Sequence, residues 1–383
     1  MMRFRDSERF SLLVAAAAAL LFLAPQAHAQ KWEFGISGSG VPTGELELEQ
    51  PRFPGGNIRS GQEGWVRMSF VIGPDGSAMD PLVIDSSGGN GFEEEARKVA
   101  GKWHFESLDS PAERPNNLVN IRSEIFRGRD LATSNFMRRY RRIVTHLHNE
   151  ENEDARKLAD SAYQLGGWNL YESAMLWLML GRVEGAEGNL AGKLEFYRRA
   201  HGIAETIKLK KTAQIDLLEK IFTLEDHFGQ SAGAMRTYAE LQRFLGTSPM
   251  NELLEARSAE IRAKIDGDEA ITAQATIYSA CDCEEGQPLW YYKPARRTFS
   301  FANLSGNVQS FEARCDYKRV QGSVDVGTQW TLAPDWGSCR VFVFGDDGAT
   351  FEFIEHPTDA EDGAPNAVAK DDVLDRRNRG QRS

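Results

Sequence analysis

The sequence predicts a multidomain α+β protein with three folded regions, because its apolar pattern changes twice along 383 residues. Between residues 51 and 130, bulky apolar residues alternate with polar ones, which indicates a small α+β layer of strands with one helix. From 133 to 266 they recur three and four apart, which indicates paired helices. From 270 to 357, short aromatic and β-branched runs return together with all four cysteines. Seven strands are predicted from these runs, over 271–278, 289–292, 298–302, 308–313, 329–332, 340–344 and 350–354. This last pattern predicts a disulfide-bonded all-β sandwich or barrel.

The first 29 residues have the features of an export signal peptide. Three Arg between positions 3 and 9 precede the apolar run Phe10–Ala24 and the small-residue pair Ala27-His-Ala29. This order of basic, apolar and Ala-x-Ala segments predicts cleavage after Ala29. An uncleaved membrane anchor is the alternative. No later run reaches the roughly 20 apolar residues of a spanning helix, so we expect no membrane span in the mature chain.

The chain is acidic. Its formal net charge of −11 becomes −12 without residues 1–29, which hold three Arg and two acidic residues. Because binding to a phosphate backbone relies on clustered Lys and Arg, nucleic acid is not an expected partner. The densest basic run, Arg138–Arg142, lies in the helical region and indicates a solvated helix face or a domain junction. A binding site for an acidic partner is the alternative.

The stretch 53–105 predicts a β-hairpin followed by a helix. Its first apolar run alternates bulky and small or polar residues, as in a half-buried strand. Pro74 then fixes φ, Asp75 can bond the backbone ahead of it and Gly76 tolerates positive φ, so these three residues predict a turn. The expected elements are a strand over 65–72, a strand over Pro81–Ile84, a helix over Phe92–Ala100 and later strands over Trp103–Phe105 and Val119–Ile125.

The same stretch contains a set of residues with a recognisable spacing. They are Phe53-Pro54, Gly64-x-Val66-x-x-x-Phe70-x-Ile72-x-x-x-Gly76, Val83-x-Asp85-Ser86-Ser87, Ala96, Ala100 and Trp103-x-Phe105. Over about residues 51–127 they resemble the TonB C-terminal domain of Gram-negative energy transducers. The resemblance implies a periplasmic protein without a cofactor that binds envelope proteins, including an outer-membrane receptor peptide added as a strand. The partner-binding residues that it implies are Phe53, Pro54, Val119, Ile121 and Ile125.

Two departures from that family bear on the mechanism. Glu106-Ser107 stands where the family usually has Pro after the Trp-x-Phe strand, and the family's long Pro-rich spacer is absent. The predicted flexible lead, residues 30–50, spans only about 70–75 Å when fully extended. The resemblance therefore implies a TonB-like binding module more than a working energy transducer.

The helical region, residues 133–266, resembles tetratricopeptide repeats. Trp177-x-x-Leu180-Gly181, followed by Tyr197 and Ala200, has the family's arrangement of large and small residues. The set Lys193, Tyr197 and Ala200 has a counterpart 34 residues earlier, at Ala159, Tyr163 and Gly166. The next comparable set, Ala234, Tyr238 and Leu241, lies 41 residues later instead of 34. We therefore expect a tetratricopeptide-like α-solenoid of about three degenerate units. An ordinary helical bundle is the alternative.

The four cysteines, Cys281, Cys283, Cys315 and Cys339, all lie in the predicted β domain. In an exported chain, an even number of cysteines confined to one segment predicts disulfides, with a metal site as the alternative. Cys281 and Cys283 are too close in sequence to bridge each other without strain. We therefore expect each of them to pair with Cys315 or Cys339.

The β domain is also rich in aromatic residues, and the chain after it is polar. Trp290, Tyr291, Tyr292, Trp330 and Trp336 are expected in the core, with an aromatic binding face as the alternative. Residues 358–383 are rich in Asp, Arg and Asn and predict a disordered tail.

The sequence shows no catalytic constellation. His146 and His148 are two apart on a predicted helix, whereas a helical zinc pair needs a spacing of four. The turn Gly345-Asp-Asp-Gly348 lacks the alternating oxygen ligands of a calcium loop. We therefore expect a non-enzymatic, periplasmic interaction or scaffold protein without cofactor or metal. The alternatives are an energy transducer that retains residues 1–29 and an envelope hydrolase or glycan-binding protein that acts through the β domain.

Overall fold

The computed structural model describes residues 49, 51–52, 54, 63–73, 75–87, 91–105, 132–204, 207–245, 249–279, 287–316 and 318–357. Several predicted features lie outside these residues: the signal peptide, most of the lead 30–50, the strand Val119–Ile125, Cys281, Cys283 and the tail 358–383. The described residues form the α+β, multidomain arrangement that the sequence predicts.

The first region is a β-hairpin covered by one helix. Strand β1 (Val66–Ile72) pairs antiparallel with β2 (Ala78–Ser86), and helix α1 spans Phe92–Ala100. At the turn, Gly76 has a φ of 90°, and a Cβ there would lie 2.2 Å from the carbonyl oxygen of Phe105. Only glycine meets both conditions without strain. The predicted hairpin and helix are confirmed.

The helical region has seven helices within the described residues. Glycines in the left-handed conformation, Gly166, Gly188 and Gly229, lie in three of the connections between them. Asn169 and Glu172 form a capping box that satisfies backbone donors at the start of the helix Leu170–Ala186. The helices are α2 (Ser134–His148), α3 (Asn152–Leu165), α4 (Leu170–Ala186), α5 (Leu190–Gly202), α6 (Lys211–His227), α7 (Ser231–Leu241) and α8 (Pro249–Asp266).

Helices α4 and α5 pack a large residue against a small one. A Cβ at Gly181 would lie 2.6 Å from the Tyr197 ring, so the ring occupies the space that the glycine leaves open. This contact involves two of the residues that carry the tetratricopeptide resemblance; the solenoid as a whole stays a prediction. Within the described residues, no helix is both long and apolar enough to cross a membrane.

The basic run Arg138–Arg142 lies on α2. Its members Arg138, Arg141 and Arg142 are exposed, which agrees with a solvated helix face.

The C-terminal region has eight strands among the described residues. They are β3 (Ile271–Thr276), β4 (Leu289–Tyr292), β5 (Thr298–Ser305), β6 (Val308–Cys315), β7 (Arg319–Ser323), β8 (Trp330–Thr331), β9 (Cys339–Gly345) and β10 (Thr350–His356). These strands form two four-stranded antiparallel sheets with orders β3-β10-β5-β8 and β4-β9-β6-β7. Apolar residues from both sheets form one core, which includes Phe301 and Phe353 from the first sheet and Phe311 and Val343 from the second. The sequence analysis missed one strand, β7.

A disulfide joins Cys315 to Cys339, whose Cα atoms lie 3.9 Å apart. These residues are direct partners in the register of β6 and β9. The prediction that each of Cys281 and Cys283 pairs with Cys315 or Cys339 is therefore wrong. The sheet register brings the two later cysteines together, and sequence spacing does not reveal a register.

The aromatic residues of this region mainly contribute to the core. Trp290 and Tyr292 are buried and stack on each other, with ring centroids 5.3 Å apart. Trp330 and Trp336 are half-buried and pack against the same core. Tyr291 packs on a separate cluster that includes Phe342. The core interpretation is confirmed for Trp290 and Tyr292.

Candidate docking site

The hairpin–helix unit has its own apolar core. Phe70 of β1 stacks on Phe105, with ring centroids 5.5 Å apart, and meets Trp103 edge to face at 5.6 Å. Backbone hydrogen bonds join the 103–105 segment to the start of β2: Ala78 N donates to Trp103 O at 2.9 Å, and Phe105 N donates to Gly76 O at 2.8 Å. Helix α1 therefore closes one face of the hairpin, and the 103–105 segment follows the outer edge of β2.

Strand β1 is mostly buried. Five of its seven residues, including Val66 and Ser69, are buried. The more exposed part of the hairpin is the start of β2, where Met79 and Asp80 face solvent.

A buried polar cluster attaches the second face of the hairpin to the β domain. Arg314 of β6 donates to Ser69 Oγ at 2.8 Å and to the Asp80 carbonyl oxygen at 3.3 Å. Glu312 accepts from Arg314 Nε and from Arg319 Nε, both at 2.6 Å. Arg319 also forms an ion pair with the Asp80 carboxylate. Burial opposes ionisation of Glu312, yet the hydrogen bonds from Arg314 and Arg319 hold its pKa below the ordinary value.

Apolar contacts support this attachment. Ile84 of β2 is buried in a cluster with Leu289, Phe342 and Phe344 of the β domain. The attachment therefore has two parts. The hydrogen bonds of Arg314 and Arg319 are directional, and the apolar cluster around Ile84 buries apolar surface. Together they hold the hairpin at a defined orientation on the β domain.

The hairpin also packs against the helical region. Trp65 lies in the helical core together with Trp177 and Tyr197. A Cβ at Gly202 of α5 would lie 3.2 Å from both the Trp65 ring and the Arg67 guanidinium. Leu170 N, at the start of α4, donates to the Glu63 carboxylate at 2.8 Å. The hairpin thus contacts both of the regions that follow it in the chain.

Asp85 lies where the hairpin, the helices and the β domain meet. Its carboxylate is 3.9 Å from Arg67 and 4.0 Å from Arg199, and its Oδ1 atom has no hydrogen-bond partner among the described residues. Arg199 also donates to Glu195 at 3.0 Å and to the Ser279 carbonyl oxygen at 2.5 Å. Burial raises the pKa of Asp85 to about 7, against the opposing effect of the two guanidinium groups.

Most of the residues that the sequence analysis assigned to partner binding lie outside the described residues. These are Phe53, Val119, Ile121 and Ile125. Pro54 is described and half-buried, and it lies beside the start of α1, since its Cβ is 3.6 Å from the position of a Cβ on Gly91. The assignment of these five residues to docking stays a prediction.

The sequence analysis missed the residues that attach the module. It cited Asp85 only for the family spacing, and it did not mention Arg314, Arg319 or Arg199. Each of their contacts to the hairpin joins residues more than a hundred positions apart. A buried charge in a strand predicts a partner but does not say which one.

Residues 66–105 define a small α+β domain of hairpin, helix and returning segment. Residues 49–116 match the family model of the Gram-negative bacterial TonB protein C-terminal. The match agrees with the resemblance found in the sequence and indicates a TonB-like, envelope- or transport-related function that involves protein–protein interaction. Among curated proteins, none matches the chain.

Proposed function

We propose that this chain is a non-enzymatic periplasmic protein that binds other envelope proteins through its TonB-like module, with the helical and β regions as its scaffold. The observation that carries the proposal is that the segment matching the TonB C-terminal family is fixed to both other regions. Fixed contacts suit a module that presents a docking edge in a constant orientation.

The docking edge in this proposal comprises Phe53, Pro54 and the segment Val119–Ile125. An extended peptide of a partner adds as a strand, so that the backbone supplies affinity and side-chain pockets supply specificity. No catalytic step is part of this function.

Crosslinking in native envelopes tests the proposal. We expect a C-terminally tagged chain to capture outer-membrane or periplasmic proteins. A peptide from the captured protein should then bind the purified chain in calorimetry. Ile121→Pro removes a backbone donor and should abolish binding, whereas Ile121→Ala keeps the donor and should reduce binding far less. Equal binding by both variants would exclude strand addition at this segment.

The compartment is tested separately. We propose cleavage after Ala29, so mass spectrometry of the native protein should find Gln30 at the N-terminus, in many cases cyclised to pyroglutamate. Retention of residues 1–29 would instead support the alternative in which the chain is an anchored energy transducer.

A further inference from the structure

A cleft of about 290 Å³ lies between the helical region and the first sheet of the β domain. Helix α5 forms one wall with Leu194, Glu195 and Arg198, and strands β3 and β10 form the floor. Junctions between domains are common places for small-molecule sites, and the volume is near the lower end for such pockets.

The floor of the cleft is polar. Gln274 and Thr276 of β3 lie directly opposite Glu352 and Thr350 of β10 in the antiparallel register. All four occupy the outward positions of strands whose alternate residues are buried. This arrangement places an amide, a carboxylate and two hydroxyls side by side on one surface.

The far rim contains a residue with an unusual backbone. Asn303 of β5 lines the cleft with a φ of 49°, at an irregularity in the pairing of β5 with β10. Asn tolerates this left-handed conformation better than most residues, and strand irregularities often redirect a side chain at a functional site. A second carboxamide is thereby added to the same opening.

The charges around the cleft indicate a neutral ligand. Arg198 is paired with Glu225 at 2.7 Å and bonded to Gln230 at 2.6 Å, while Glu195 is paired with Arg199 at 3.0 Å. Glu352 forms no ion pair within the described residues. The carboxylate of Glu352 lies beside the amides of Gln274 and Asn303. This set favours a ligand rich in hydroxyl groups, because hydroxyl groups both accept from amides and donate to carboxylates.

The edge of β3 is already occupied, which disfavours a peptide added as a strand. Gln274 N donates to Phe228 O at 2.9 Å, and Gln230 Nε2 donates to Gln274 O at 3.2 Å. The turn between α6 and α7 therefore takes the place of a neighbouring strand. Phe228, Tyr278 and Trp290 also line the cleft and supply apolar surface for the C–H faces of a ring.

We propose that this cleft binds a short neutral saccharide, with Glu352 and Gln274 as its main hydrogen-bonding residues. The site is separate from the TonB-like module and does not depend on the docking function proposed above.

Calorimetry on the purified mature chain tests the site with three probes: maltotetraose, chitotetraose and the peptide tetra-alanine. We expect one of the two saccharides to bind and tetra-alanine not to bind. Glu352→Gln should weaken saccharide binding by about tenfold, because a charge-assisted hydrogen bond becomes a neutral one. Gln274→Ala should weaken it by roughly threefold to tenfold.

Gln329→Ala is the matched control, because Gln329 is an exposed amide of the same region outside the cleft. It should leave binding unchanged, and circular dichroism should show the same fold for all variants. The proposal is overturned if neither saccharide binds at about 10 mM. It is also overturned if Glu352→Gln and Gln274→Ala both bind like the wild type, or if tetra-alanine binds and the saccharides do not.

Discussion

Arg314 in the β domain donates a 2.8 Å hydrogen bond to Ser69 in the hairpin, across 245 residues of sequence. Both side chains are buried, and the same guanidinium bonds Glu312. A buried guanidinium needs partners for its donors, since an unsatisfied charged donor is destabilising. The bond therefore fixes the position of the hairpin and satisfies a buried cation at the same time.

Removing either side of this bond should destabilise the chain to different degrees. Ser69→Ala leaves one donor of Arg314 without its partner, so we expect a loss of about 1–3 kcal/mol in the free energy of unfolding. Arg314→Leu also takes a cation from the buried Glu312, so the loss should be larger, about 3–5 kcal/mol. Urea denaturation measures both.

Arg141→Ala is the control for these variants, because Arg141 is exposed on α2. Its effect should stay within about 0.5 kcal/mol. If Arg314→Leu behaves like Arg141→Ala, the buried cluster does not hold the hairpin.

Gly181 and Gly185 provide a matched test of packing between α4 and α5. A Cβ at Gly181 would meet the buried Tyr197 ring at 2.6 Å, whereas one at Gly185 would meet the flexible end of Lys193 at 2.9 Å. We expect Gly181→Ala to destabilise the chain by roughly 1–3 kcal/mol through overpacking. Gly185→Ala should be neutral or stabilising by up to about 1 kcal/mol, because alanine favours helix over glycine.

Thermal unfolding of the two glycine variants under identical conditions measures the difference. Equal melting temperatures would show that the Tyr197 ring moves aside without a cost in stability. The contact between Gly181 and Tyr197 would then not contribute to the packing of α4 on α5.

Local features of this fold were predictable from the sequence, and long-range ones were not. Pro74, Asp75 and Gly76 specify a turn by their own backbone preferences, and the bounds predicted for α1 are those found. Strand β7 was missed because Arg319–Ser323 has a single β-branched residue, Val320, and a glycine. Its place is set by pairing with β6, which is tertiary information.

The candidate sites show the same division. The spacing around Asp85 supported the family resemblance, yet its nearness to Arg67 and Arg199 depends on how three regions pack. The polar floor of the cleft depends likewise on the register of β3 and β10. No local pattern in either strand specifies that register.

Asp85 should make stability depend on pH. Its pKa rises from an ordinary value of 3.8 to about 7 in the folded chain. The folded state therefore binds this proton more tightly, and the resulting stability is present below the unfolded pKa and lost as pH rises through about 7. Between the two values the slope is about 1.4 kcal/mol per pH unit for one proton.

Asp85→Asn removes this titration while keeping a similar shape. We compare the free energy of unfolding of the wild type with that of the variant at two pH values. The wild-type value minus the variant value should be larger at about pH 5 than at about pH 8. The charged groups that act on the Asp85 carboxyl are Arg67, Arg199 and Glu195, and all three are present in both proteins. Buried Glu355, whose pKa is also about 7, is present in both proteins, so its effect cancels in the difference. A difference that does not change with pH would contradict the raised pKa of Asp85.

The Cys315–Cys339 disulfide should contribute substantially to the stability of the β domain. It links residues 24 apart, and in the chain-entropy account a loop of this length corresponds to about 3 kcal/mol. In urea denaturation, the double variant Cys315→Ala, Cys339→Ala should lose a similar amount in the free energy of unfolding.

The pairing itself is tested by a non-reducing digest of the native protein. The digest should contain one linked peptide pair with Cys315 and Cys339. A pair that links Cys281 or Cys283 to either residue would contradict the pairing in the sheet. In that case hydrogen bonds and apolar contacts alone would hold β6 to β9.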